Sequence, residues 1–140
     1  KLYVSPRALG CRRRSPELYQ AGEYLPLRTG GFAAERIVAF ARRRVGGAAL
    51  VVVPRLTAAL TENGSRLPLG ADTWQDTWVE IPREFPPEAY SNMFTGATRR
   101  VTAEHGRLLQ VADVLADFPI ALLEPVPPPM LDPGPSAADF

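Results

Sequence analysis

Only one cysteine and one histidine, Cys11 and His105, occur in this chain of 140 residues. A single cysteine excludes an internal disulfide and any multi-cysteine metal site, and it gives no sign of an oxidising compartment. Long apolar runs are also missing: the longest, Ala48 to Val53, falls far short of the roughly 18–20 residues that would cross a bilayer. Nothing at the start resembles a signal peptide. The expected location is therefore cytoplasmic, with no membrane partner. Charge of one sign is lacking too, since 16 basic against 15 acidic residues leave a net +1. Such a balance supplies no field to gather nucleic acid or to hold a lipid surface. Lysine occurs once; the other fifteen basic residues are arginine, which together with abundant Ala, Gly and Pro marks a GC-rich coding sequence more than a binding function.

Proline is the conspicuous surplus. Fifteen prolines in 140 residues is about twice the usual share and argues against a helical bundle. The length suits one domain that buries about two thirds of the surface its unfolded chain exposes. Lys1 to Arg14 reads as a helix from its first residue, with Leu2, Val4, Ala8 and Leu9 at near-helical spacing and arginines opposite. A helix with no cap before it suggests the end of something larger. Pro6 and Gly10 count against an undisturbed helix, and the Ser5-Pro6 pair predicts a kink or a late start there. Ser15-Pro16 repeats that signal and predicts one further turn, ended by Gly22.

From Glu23 the pattern changes to short apolar runs punctuated by Gly, Pro and Asn, about ten residues apart, as in an antiparallel β-sandwich. Strands are predicted at Tyr24–Arg28, Arg36–Arg43, Ala48–Val53, Thr77–Ile81, Tyr90–Thr95, Arg99–Ala103, Arg107–Gln110 and Ile120–Glu124. Val45-Gly46-Gly47 supplies a hairpin turn, and Ala48–Val53 is so uniformly apolar that it should lie centrally, covered on both faces. Ala112–Ala116 reads as one helical turn. Beyond Glu124, six prolines in sixteen residues form a segment too poor in apolar groups to offset its chain entropy, which predicts a flexible tail. The domain division is residues 1–22 as helix and connector, 23–124 as β-sandwich and 125–140 as tail.

The arginine-rich helix, then "SPELYQAGEYLPL", then a small sheet domain resembles the passage from the last barrel helix to the C-terminal β-sandwich in the alpha-amylase clan of glycoside hydrolases. Within that clan, "RRRSPELY", "IVAFARRR", "ALVVVPRL", "LPLGADTWQDTWVEIP", "YSNMFTG" and "VADVLADFPIALL", in that order from Lys1 to about Leu123, are most similar to the maltooligosyltrehalose synthases. The resemblance implies an isomerase of trehalose biosynthesis, converting the reducing-end alpha-1,4 linkage of a maltooligosaccharide into an alpha,alpha-1,1 linkage, without a cofactor. It implies retaining chemistry by an aspartate nucleophile and a glutamate acid/base on a (β/α)8 barrel. Such a barrel takes about 200–250 residues, so it lies outside this chain and is the expected partner; no catalytic residue is assigned here. A stand-alone carbohydrate-binding β-sandwich, or the C-terminal domain of another clan member, are the alternatives.

Trp74, Asp76 and Trp78 are the candidate substrate-binding residues. On an extended strand all three would share a face, where indole rings can stack on sugar C–H surfaces and a carboxylate can accept hydroxyl protons; against that, a sandwich-strand tryptophan more often serves a core or interdomain contact. His105, in an apparent hairpin turn, reads as turn filler, and Cys11 as a small hydrophobe. Asp113 and Asp117, four apart, read as caps of a short turn rather than paired catalytic acids. The Arg12–Arg14 and Arg42–Arg44 clusters read as solvated faces or as ion-pair partners of the absent barrel. No metal ligands are assigned.

Overall fold

Ile37 to Pro54 sets the architecture. Ile37–Arg44 (β3) and Gly47–Pro54 (β4) pair antiparallel in register from Ile37↔Pro54 to Arg44↔Gly47. The two-residue turn between them places Gly46 at φ +81, a conformation glycine adopts without Cβ strain. Onto this hairpin are added Glu23–Pro26 (β1) beside β3, and Ala121–Pro125 (β9) beside β4. Ala89–Asn92 (β6) pairs with β9, and Thr98–Arg100 (β7) with β6, closing a six-stranded antiparallel sheet of order β1-β3-β4-β9-β6-β7. A second sheet consists of Thr29–Gly30 (β2), Trp78–Glu80 (β5) and Leu108–Gln110 (β8), in the order β2-β5-β8. This computed structural model describes residues 2–85, 89–101 and 107–127.

One face of the large sheet and one face of the small sheet share the main core. Ile37, Ala39 and Ala41 of β3, Leu50 and Val52 of β4, Ala121 and Leu123 of β9 and Tyr90 of β6 meet Val79 of β5 and Leu109 of β8. The alternate residues of β4 and β9, namely Ala49, Val51 and Leu122, point to the other face and contact a second cluster containing Cys11, Leu18 and Phe94. The period of two therefore feeds two cores from one strand, which accounts for the unbroken apolar run of β4.

The second cluster is roofed by Val4–Arg14 (α1) and Pro16–Ala21 (α2). The predicted late start is found: α1 begins at Val4, so Pro6 falls in its first turn, where a missing N–H removes no intrahelical bond. Lys1 lies outside the described residues, and Leu2 and Tyr3 form a turn rather than helix. Pro16 opens α2, and Gly22 ends it, with its N–H donating to the Leu18 carbonyl at 3.1 Å. Of the apolar residues of this segment, Val4 and Ala8 pack onto the second cluster, while Leu2, ahead of α1, stays 96% and Leu9 47% exposed. Tyr3 anchors the helix start: its hydroxyl donates to the Phe94 carbonyl, its ring lies 5.3 Å from Phe118, and the Arg7 guanidinium sits 3.7 Å above it.

The predicted helical turn at Ala112–Ala116 is found one residue earlier, as Val111–Val114 (α4), whereas Gly70–Trp74 (α3) was not apparent from the sequence. No helix among the described residues is long and apolar enough to cross a membrane. The predicted tail falls almost wholly on residues 128–140, outside the described residues, as does His105.

Candidate functional site

The tryptophan motif does not form the strand face expected of it. Trp74 ends α3 and is fully buried, with its indole Nε1–H donating to the Pro68 carbonyl at 2.8 Å. Gln75 then reverses the chain at φ 49, ψ −121, a region that side chains other than glycine's occupy at a cost. Trp78 lies beyond that reversal, on β5. The period-two alignment of Trp74, Asp76 and Trp78 thus gives way to a helix, a tight turn and a strand. No indole face of Trp74 is open to a sugar.

What the motif builds is a brace between two distant loops. The Asp76 carboxylate accepts the Phe32 N–H at 2.8 Å, and the Thr77 hydroxyl accepts the Ala33 N–H at 2.9 Å while donating to the Trp74 carbonyl at 2.5 Å. Glycines at 30 and 31 permit the approach. A Cβ on Gly30 would lie 2.1 Å from Trp78 Cζ2, and one on Gly31 would lie 2.6 Å from the Asp76 carbonyl oxygen. The clamped loop carries Phe32, a large apolar side chain that is 58% exposed.

A second polar constellation lies between the helices and the large sheet. Tyr19 on α2 donates to Glu124 Oε1 on β9 at 2.8 Å, and Arg14 on α1 donates to Cys11 Sγ at 3.3 Å and to Met93 Sδ at 3.8 Å. Burial, then the Glu124 carboxylate, push the Tyr19 phenol far above its ordinary range. Burial is also the main cause that raises the Cys11 thiol and the Tyr90 phenol. All three groups are held in their protonated, neutral forms, so Cys11 is a packed apolar residue and not a thiolate nucleophile.

These shifts have one sign. In the unfolded chain the thiol and phenols ionise between about pH 8.5 and 10. The folded chain holds their protons longer, so above that pH the unfolded state binds fewer protons and stability falls as pH rises. Stability from these groups is complete below about pH 8. The midpoint of urea unfolding is accordingly expected to fall between pH 9 and 11, and Tyr19→Phe to flatten the decline. A midpoint that stays level or rises over this range would contradict the assignment.

Beside this constellation a groove of about 690 Å³ runs between the helices and the sheet. Phe40, Val51 and Leu122 form its floor, Ala8, Leu9 and Tyr19 its helical wall, and Arg12, Gln20 and Arg42 its polar rim. Tyr24, 5.0 Å from the Phe40 ring, extends the aromatic surface toward the sheet edge. No local pattern of residues announces the groove, because its walls come from α1, α2, β3, β4 and β9.

The other candidates resolve into structural contacts. Arg43 pairs with Glu23 at 2.7 Å and Glu84 at 3.6 Å, Arg44 with Glu17 at 3.5 Å, and Arg42 donates to the Gly22 carbonyl at 2.9 Å. The Arg42–Arg44 cluster therefore has its partners within this chain, whereas Arg12 and Arg13 are exposed. Asp117 pairs with Arg99 at 3.9 Å, and Arg99 also holds the Asp113 carbonyl at 2.8 Å. Neither aspartate side chain caps α4. Among the described residues no group of three His, Cys, Asp or Glu is placed to hold a metal ion.

The fold and these contacts define a mainly β domain of two antiparallel sheets, roofed on one side by helices. No protein-family model matches the chain. Over 123 residues, 88% of its length, it is 39% identical to putative maltooligosyl trehalose synthases from two strains of Mycobacterium tuberculosis. Its structure aligns with that of a point mutant of maltooligosyltrehalose synthase from Arthrobacter ramosus at a TM-score of 0.61, with 31% identity over 86% of this chain. The chain is homologous to one segment of the maltooligosyltrehalose synthases, and it spans 13% of the length of each of these relatives.

Proposed function

We propose that this chain is the C-terminal domain of a maltooligosyltrehalose synthase, with residues 1–22 as last barrel helix and connector, 23–124 as β-sandwich and 125–140 as tail. The supporting observation is that sequence and structure each match a synthase over most of this chain, and over 13% of that synthase's length. The domain braces a catalytic barrel and supplies no acid, base or nucleophile. The barrel, a cytoplasmic isomerase in this reading, moves the reducing-end glucose of a maltooligosaccharide from an alpha-1,4 to an alpha,alpha-1,1 linkage through its own aspartate and glutamate.

The side chains described here fit bracing better than turnover. Glu124 is engaged by Tyr19, Asp76 by the Phe32 amide and Asp117 by Arg99. Leu2, Phe32, Leu56 and Leu67 are all more than half exposed and offer apolar contacts to the remainder of a larger protein.

The reading is tested by incubating maltopentaose with the isolated chain and with the longer polypeptide encoded around it, and following loss of reducing ends. The longer polypeptide is expected to consume reducing ends and the chain alone to leave them unchanged. Turnover by the chain alone would overturn the proposal. Saturable heat on titrating the chain with maltoheptaose would favour a carbohydrate-binding module instead.

A further inference from the structure

We infer that Phe32 and Leu56, with Leu67, form a preorganised docking face whose occupant is the remainder of the synthase polypeptide; this rests on the reading of the chain as one domain of that enzyme. The three side chains are 58%, 67% and 62% exposed, yet the backbone that carries them is pinned from neighbouring segments. Asp76 accepts the Phe32 N–H at 2.8 Å, the Arg36 guanidinium donates to the Leu56 carbonyl at 2.7 Å, and the Trp74 indole donates to the carbonyl of Pro68, next to Leu67, at 2.8 Å. Two of the loops are also stitched to each other. The Arg55 N–H donates to the Arg36 carbonyl at 2.8 Å, and the Arg36 N–H to the Ala33 carbonyl at 2.9 Å. Surface loops are ordinarily mobile. Large apolar side chains held in place before they meet a partner suit an interface, because little freedom is left to lose on docking.

The Leu56 backbone is left-handed, at φ 49 and ψ 46, a conformation that costs a leucine more than a glycine. Within the described residues its mostly exposed side chain gains little from that position. Such strain concentrates where a contact makes use of it, and here it holds an isobutyl group out from the loop bonded to that of Phe32. The charges around the face point to the kind of contact. Glu35, Arg36, Arg55 and Asp76 are two of each sign, and Arg36 and Asp76 are engaged by backbone groups. A neutral apolar face selects apolar protein surface over a polyanion or a basic peptide. The synthases supply such a surface on the same polypeptide, since this chain matches only 13% of their length. A tethered occupant meets the face at high effective concentration, so a few apolar anchors suffice where a free partner needs a full-sized interface.

The test is hydroxyl-radical footprinting, read residue by residue by mass spectrometry, on the isolated chain and on the longer polypeptide encoded around it. Phe32 and Leu56 are expected to be oxidised in the isolated chain and to lose most of that oxidation in the longer polypeptide. Leu56→Gly should move two stabilities in opposite directions: the urea midpoint of the isolated chain rises as the left-handed strain is relieved, and the thermal midpoint of the longer polypeptide falls as the docked side chain is lost. Shifts of the same sign in both would overturn the inference. If the longer polypeptide consumes reducing ends while Phe32 and Leu56 stay fully oxidised, the docking face fails and the synthase reading stands; protection without turnover does the reverse. Protection that appears in the concentrated isolated chain and vanishes on dilution would name a second copy as occupant and likewise overturn the inference.

Discussion

Replacing Trp74 with alanine is expected to cost about 3–5 kcal/mol, the range for removing a large aromatic from a packed core. Two contributions add at this position. The ring is fully buried in the core shared by both sheets, so truncation leaves a cavity, and the Pro68 carbonyl loses its donor. Against a total stability of about 5–15 kcal/mol for a domain of this kind, the loss should lower the urea midpoint by a large fraction. Trp74→Phe keeps most of the apolar volume and gives up the hydrogen bond, for an expected cost of about 1–2 kcal/mol. A Trp74→Ala protein as stable as the parent would contradict the core assignment. Trp78→Ala should cost less, because that ring is only half-buried.

The two tryptophans show where sequence reasoning reached its limit. Strands that end in a glycine turn or hold a long apolar run were legible, since β3, β4 and their hairpin are set by local signals: alternation, Gly46 and a run of valines. The α2 turn was legible for the same reason, bounded by Pro16 and Gly22. The segment from Gly70 to Trp78 was not. Its residues fit a period of two, but the chain spends five of them in a helix and reverses at Gln75, a residue type that announces no turn. Thr29–Gly30 escaped notice because a two-residue strand has no period to detect. The bonds from Asp76 to Phe32 and from Thr77 to Ala33 bridge 44 residues, a distance over which single-sequence patterns carry no information.

The helical roof corrects a further expectation. Lys1 to Arg14 was expected to be helical from its first residue with one apolar stripe, and the structure divides that stripe. Val4, Ala8 and Cys11 contact the sheet's second cluster, while Leu2 and Leu9 remain available. A helix can therefore serve this domain and a neighbour at once, which fits a bracing role. Family resemblance rested on ordered short motifs, and those motifs prove to be the helices, strands and loops that build the two cores, "ALVVVPRL" in β4 and "LPLGADTWQDTWVEIP" from α3 to β5 above all.

Gly31→Ala is the second large effect, and it separates conformational cost from crowding. Gly31 sits at φ +88, where an alanine costs on the order of 1 kcal/mol. Its Cβ would also meet the Asp76 carbonyl oxygen at 2.6 Å and Thr77 Cα at 2.8 Å. Both are backbone atoms, fixed by the same brace that the substitution would disturb, so neither can step aside as a side chain would. Relieving the overlap means parting the loops and stretching the bonds from Phe32 N–H to Asp76 and from Ala33 N–H to Thr77, an overpacking cost of about 1–3 kcal/mol. The expected total is about 2–4 kcal/mol. Gly46 provides the control: its φ is +81, and a Cβ there meets nothing within 4 Å. Gly46→Ala should therefore show the conformational part alone, about 1 kcal/mol. Urea unfolding of both variants gives the difference, and amide exchange at Phe32 and Ala33 localises it, with faster exchange expected only in Gly31→Ala. Equal losses in the two variants would mean that the loops are not in contact as described, and that the Trp74–Trp78 segment does not brace the loop carrying Phe32.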